Sequence, residues 1–207
     1  MARTGGGRRG QSGGLTERLP LKLGGVFGVA AYVVGYIVTY VLVEIDGEID
    51  TSEFDSEFAD TIDVVGWVFY NGHFVDTEYS ISAGDFSESE SERLIAEGST
   101  QIPEVVYYLV PIVMLVGAGY LLLQQEYATD VGDAALSGAT LVVGYLPLAI
   151  LGTILFEASE SGNGGSVSVG PETGAAILLA GLIWPIVLGA VGGFLASQTQ
   201  DNTRRRR

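Results

Sequence analysis

The run Leu23–Val43, LGGVFGVAAYVVGYIVTYVLV, follows one lysine, Lys22, and holds 21 residues without a charge. As a helix rising about 1.5 Å per residue it is about 30 Å long, the thickness of a bilayer's hydrocarbon core. It reads as a transmembrane helix over residues 22–43. Three more apolar runs have the same character, at 105–123, 135–156 and 173–196. Between and around them lie an arm (1–21), a long loop (44–104), a connector (124–134), a short loop (157–172) and a tail (197–207). The fold class expected is an all-α integral membrane protein, a four-transmembrane-helix bundle with an acidic extracellular subdomain between helices 1 and 2.

Composition supports that class. Of the 207 residues 47% are hydrophobic and only 17% charged, as when polar groups are confined to loops. Ten basic residues face 25 acidic ones, a net charge of −15, and only one of the ten is a lysine. Acid-rich, lysine-poor chains stay hydrated where salt screens ordinary repulsion, so a high-salt source is expected. Such a surface repels phosphate backbones, which argues against a nucleic-acid partner. With no cysteine, disulfides, thiolate metal sites and cysteine nucleophiles are excluded.

The arm carries Arg3, Arg8, Arg9 and Arg18 among glycines, and it reads as a disordered basic segment. A cleaved export signal is the rival reading. Its apolar core would be shorter and would end at small residues, whereas this run ends Val41-Leu42-Val43-Glu44. Eight of the ten basic residues fall in the two terminal segments and a ninth, Lys22, stands at the start of the first span, and four spans put both termini on one side. By the positive-inside rule both are cytoplasmic, in a multi-pass cell-membrane protein.

The long loop holds 17 acidic residues and one base, Arg93. Within it Phe54, Phe58, Ile62, Val65 and Phe69 recur at helical spacing, and Asn71-Gly72 is a stop signal. The apolar part, Val64–Tyr70, is too short to span, so a helix lying on the outer membrane surface or capping the bundle is expected, with Trp67 and Phe69 at the interface. Phe74–Ile81 alternates weakly, as a short strand would. Ser87–Glu97 reads as a short charged helix or a disordered acidic run, and 157–172 as a flexible Gly/Ser loop.

Three kinds of residue inside the spans invite a functional reading. Pro111, Pro147 and Pro185 sit near the middle of spans two, three and four, where each removes a backbone hydrogen bond and can kink its helix. Gly24, Gly28 and Gly35 in the first span, with Gly181, Gly189 and Gly193 in the last, make small-residue faces that admit a neighbouring backbone. Tyr32, Tyr36 and Tyr145 are candidate cavity lining. No group that titrates near neutrality lies within the four runs, so a coupled ion pump is not expected.

No cofactor and no metal site is expected. Asp46, Glu48, Asp50 and Glu57 match positions 1, 3, 5 and 12 of a calcium loop, but Thr51 stands where the turn requires Gly. His73 is the only histidine, too few for a histidine-based metal site or a catalytic triad. No nucleophile, base and oxyanion donors assemble, so an enzyme is not expected.

The Gly- and Arg-flanked first span, the acidic segment containing VVGWVFYNGHFV and the three Pro-centred spans together resemble small multi-pass membrane proteins of haloarchaea with no assigned function. Some of these are loosely labelled transporter-like. The layout of one long and one short outer loop is also similar to tetraspan junction proteins, without their disulfide pair. Two functions remain open. One is a non-catalytic association or accessory subunit, partnered by a membrane protein or by further copies of itself in the bilayer. The other is a small transporter or permease for a neutral solute, with a path between Pro-kinked helices.

Overall fold

The structure, a computed structural model, describes residues 19–49, 58–95, 100–125, 130–162 and 164–204. Most of the arm, Phe54 with the Asp50 and Glu57 of the calcium pattern, part of the connector and the last three arginines lie outside the described residues.

The apolar runs form helices. The first is α1 (Leu21–Asp46), which ends where Gly47 takes φ 70°, the left-handed conformation that closes helices and that glycine adopts without strain. A short helix, α2 (Thr61–Asn71), and two strands, β1 (Thr77–Ala83) and β2 (Phe86–Glu92), follow before the second span, α3 (Glu104–Gln125). The third span is α4 (Val131–Ala139) and α5 (Val142–Leu155), and after it come β3 (Ala158–Gly162) and β4 (Gly165–Pro171). The fourth is α6 (Thr173–Ala175), a π-helical stretch over Ala176–Ile183, and α7 (Trp184–Arg204). Among the described residues four helical segments, Leu21–Asp46, Glu104–Gln125, Val131–Leu155 and Thr173–Gln200, are long and apolar enough to cross a membrane. Their outer faces stay apolar and open, Ile154 being 68% exposed, as helices in lipid require.

Glycine sets how closely the spans approach. A Cβ on Gly24 would strike Thr140, on Gly28 the Leu141 carbonyl, on Gly35 the Phe69 ring and on Gly181 the Leu146 side chain. On α7, Gly189 and Gly193 lie against the carbonyls of Gly138 and Ala134 in α4, and Gly192 against that of Val116 in α3. All six glycines of the small-residue faces therefore meet neighbours of this same chain. Pro111 and Pro147 lie within α3 and α5, which continue through them, while Pro185 opens α7 directly after the π-helical stretch. Having no N–H, Pro185 cannot serve the carbonyl four residues back, and the switch from i+5 to i+4 bonding falls at that point.

The all-α expectation needs correction. The chain is mostly helical, but it carries a four-stranded antiparallel sheet in the order β2-β1-β4-β3. FSESESE is a strand rather than a charged helix, and the Gly/Ser segment after the third span is a hairpin that turns through Gly164 at φ 81°. The reason is pairing. β1 meets β4 over seven residue pairs, from Thr77↔Pro171 to Ala83↔Gly165, so each loop supplies the other's missing edge. Arg93 closes the base of the first hairpin, its Nε donating to Asp76 at 2.8 Å.

Candidate functional site

The sheet end of the bundle is built on α2. Its start is a capping box in which the Asp60 side chain accepts from the N3 backbone and Asp63 accepts from the Asp60 N–H. Its end is held by Asn71, whose Nδ2 donates to the Val75 carbonyl while Oδ1 accepts from the Leu94 N–H, each at 2.8 Å. Every residue from Val64 to Asn71 is buried. Of the two placements expected, α2 therefore takes the one against the bundle and does not lie on the membrane surface with Trp67 and Phe69 at an interface. It is packed into the bundle, Gly66 lying so close to the Phe156 ring that a Cβ there would enter it.

Three polar tips make that burial possible, because a buried donor without a partner costs free energy. Trp67 Nε1 donates to the Phe156 carbonyl at 2.6 Å. Phe156 is the C-cap of α5, one of the positions whose carbonyls a helix leaves unmet. The Tyr70 hydroxyl donates to the Ala149 carbonyl and receives the Tyr32 hydroxyl at 3.2 Å. His73, wholly buried, lies 2.8 Å by Nδ1 from the Phe69 carbonyl and 2.6 Å by Nε2 from the Tyr145 hydroxyl. A carbonyl only accepts, so Nδ1 carries the proton and Nε2 accepts from Tyr145.

Tyr32, Tyr36 and Tyr145 are thus brought together around α2, with Tyr36 donating to the Ile62 carbonyl and stacking on Phe156. Their hydroxyls are spent on this helix and the turn after it. That role is structural packing of an inserted element, and the signal for it in the sequence was the polar-tipped series Trp67, Tyr70, His73 at threefold spacing.

Burial pushes the His73 imidazole down to about 4. His73 lies in the turn after α2, outside the four spans. The unfolded chain, titrating near 6.5, then binds more protons than the folded one between about pH 6.5 and 4. Stability is full above 6.5 and falls as pH drops through that window, by about 2 kcal/mol between pH 6.5 and 5 at about 1.4 kcal/mol per pH unit. Thermal unfolding in mild detergent should show this fall, and His73→Gln, which has no proton to gain, should flatten the curve over the same interval.

Asp46, the last residue of α1, is also fully buried. Its carboxylate accepts from the N–H groups of Gln101 and Ile102 at 2.8 and 3.0 Å and from the Tyr107 hydroxyl at 2.7 Å. The first ligand of the calcium pattern is therefore committed to fastening the loop before α3 onto α1. Among the described residues no group of three or more His, Asp or Glu side chains is gathered as a cation would need.

The register gives the sheet two unlike faces. On one, two rows of four serines cross all four strands, Ser89-Ser80-Ser168-Ser159 and Ser87-Ser82-Ser166-Ser161. Hydroxyls pair across strands, Ser80 with Ser89 at 3.0 Å and Ser82 with Ser166 at 2.8 Å. On the other, the rows read Glu90-Tyr79-Val169-Ala158, Glu88-Ile81-Val167-Glu160 and Phe86-Ala83-Gly165-Gly162. Its base is closed, Val169 and Ala158 being buried, while at the tip Ile81, Phe86 and Val167 are 52%, 57% and 41% exposed. The edge strands carry the carboxylates, so Ile81 and Val167 lie between Glu88 and Glu160, with Phe86 beside them at the tip of the edge strand β2.

Residues 6–200 match the family of unknown function DUF7978, and the chain belongs to that family. No curated protein and no solved structure matches the chain.

Proposed function

We propose that the protein is a non-catalytic association subunit of the cell membrane, with both termini cytoplasmic and the sheet outside, where its apolar face docks a partner protein. The observation that carries this reading is the exposed Ile81, Phe86 and Val167 at the tip of a sheet that two distant loops combine to build. Apolar side chains held in water beside a charged rim are the anatomy of a protein interface. With Glu88, Glu90, Glu92 and Glu160 around it, the fitting partner presents an apolar patch bordered by lysine or arginine. The bias of basic residues to the terminal segments supports the orientation.

The test is purification from native membranes in mild detergent at high salt, with the wild type beside Phe86→Glu. Phe86 is exposed, so this change leaves the bundle alone. A stoichiometric partner that is kept by the wild type and lost from the variant is expected. Isolation of the wild type alone would overturn the proposal and shift attention to a carrier of neutral solutes.

We also propose that the acids are an adaptation to salt. Glu88, Glu90 and Glu92 stand on one face of β2, and their repulsion is screened within about 3 Å at 1 M salt but reaches about 30 Å at 0.01 M. Protease resistance of the sheet should therefore be high in molar salt and fall in dilute salt. Equal resistance in both would remove the halophilic reading.

A further inference from the structure

A groove of about 620 Å³ runs between α1 and α5 at the end of the bundle away from the sheet, walled by Val26, Val29, Val143, Pro147 and Leu148, with Lys22 among its lining. Two glycines open it. The backbones of α1 and α5 touch where a Cβ on Gly144 would fall on the Gly25 carbonyl, so Gly144 is fixed by contact. Gly25 is not, since its Cβ would meet only the Val143 Cγ1 at 3.7 Å, an ordinary contact. A side chain would fit there, and glycine within a helix costs roughly 0.5–1 kcal/mol relative to alanine. The sequence keeps the groove open at a position it has room to fill.

Charge at the groove's end selects what enters. Lys22 is exposed in the first turn of α1, at the N-terminal end of a span. That turn has no acidic residue and no capping side chain, so its N–H groups and dipole also favour an anion. Among the described residues the ion pair is Arg93 with Asp76, and no carboxylate there pairs with Lys22.

We propose that this groove binds one anionic phospholipid, with an acyl chain between α1 and α5 and the phosphate on Lys22 and the first turn of α1. The occupant is argued from charge complementarity, an apolar trough between two spans paired with an exposed cation in its lining. It is independent of the partner proposed for the sheet.

The test is native mass spectrometry of the full chain in detergent, titrated with dioleoyl phosphatidylglycerol or dioleoyl phosphatidylcholine. One phosphatidylglycerol should bind per chain, about fivefold more tightly than phosphatidylcholine, the preference one lysine supplies near a membrane surface. Lys22→Gln should cut the preference at least by half, leaving what the first turn supplies. Gly25→Leu, which fills the groove and favours helix, should lose both lipids, and the exposed-site change Val143→Phe fills the same space should Gly25→Leu unfold. Equal binding of the two lipids by the wild type, a preference that Lys22→Gln leaves undiminished, or binding that survives a filled groove would each overturn the proposal.

Discussion

Gly189→Leu should prevent the bundle from closing. Gly189 sits where α7 passes between α3 and α4, and a Cβ there would fall on the Gly138 carbonyl. The reciprocal contacts are as close, since Cβ atoms on Gly138 or on Gly119 would fall on the Gly189 carbonyl. Three backbones meet at one level, and none can give way without moving a whole span. Overpacking of a core usually costs about 1–3 kcal/mol, and here the obstacle is backbone on two sides, so at least about 3 kcal/mol is expected. The reading is thermal unfolding in mild detergent, beside Gly117→Ala. A Cβ on Gly117 meets nothing within 4 Å, so that change should stabilise slightly. Equal unfolding temperatures for the two variants would mean that α7 does not occupy this seam.

Asp46→Ala should have the next largest effect. It leaves the Tyr107 hydroxyl without its acceptor in a buried place, and the Gln101 and Ile102 N–H groups without theirs in a partly buried one. Each stranded donor costs about 1–3 kcal/mol, and partial access of water as the loop loosens brings the expected total to about 3 kcal/mol. Tyr107→Phe removes one donor together with its demand and should cost only about 1 kcal/mol. Unfolding in detergent separates the two. Asp46→Ala no worse than Tyr107→Phe would show that the carboxylate is not the fastening point.

The spans were legible because hydropathy over some 20 residues needs no tertiary context. The small-residue faces were legible in part: Gly189 and Gly193 stand out by spacing, whereas Gly119, Gly138 and Gly192 stand out only once their opposing carbonyls are known. Asp46 was indistinguishable by type from the 16 other acids of its loop. Its burial comes from donors 55 to 61 positions away in sequence.

The sheet was hidden for a different reason. Alternation of apolar and polar residues marks a strand with one wet face, but FSESESE alternates serine with glutamate and offers no apolar period. It pairs with β1, whose other neighbour β4 lies more than 80 residues away, and only the register puts Ile81 beside Val167 and Ser82 beside Ser166. The insertion of α2 was hidden likewise. Eleven residues are too few to span, and burial inside the bundle depends on carbonyls of Phe156 and Ala149 standing ready for Trp67 and Tyr70.

The two sheet faces allow the docking role to be tested by crosslinking. The chain has no cysteine, so single cysteines carrying a photo-crosslinker can be placed at Val167 on the apolar face or at Ser166 on the serine face. Irradiation in native membranes should give one discrete adduct, a protein of fixed mass, from Val167 and none from Ser166. Equal labelling from both positions, or no adduct from Val167, would contradict a docking function for the apolar face.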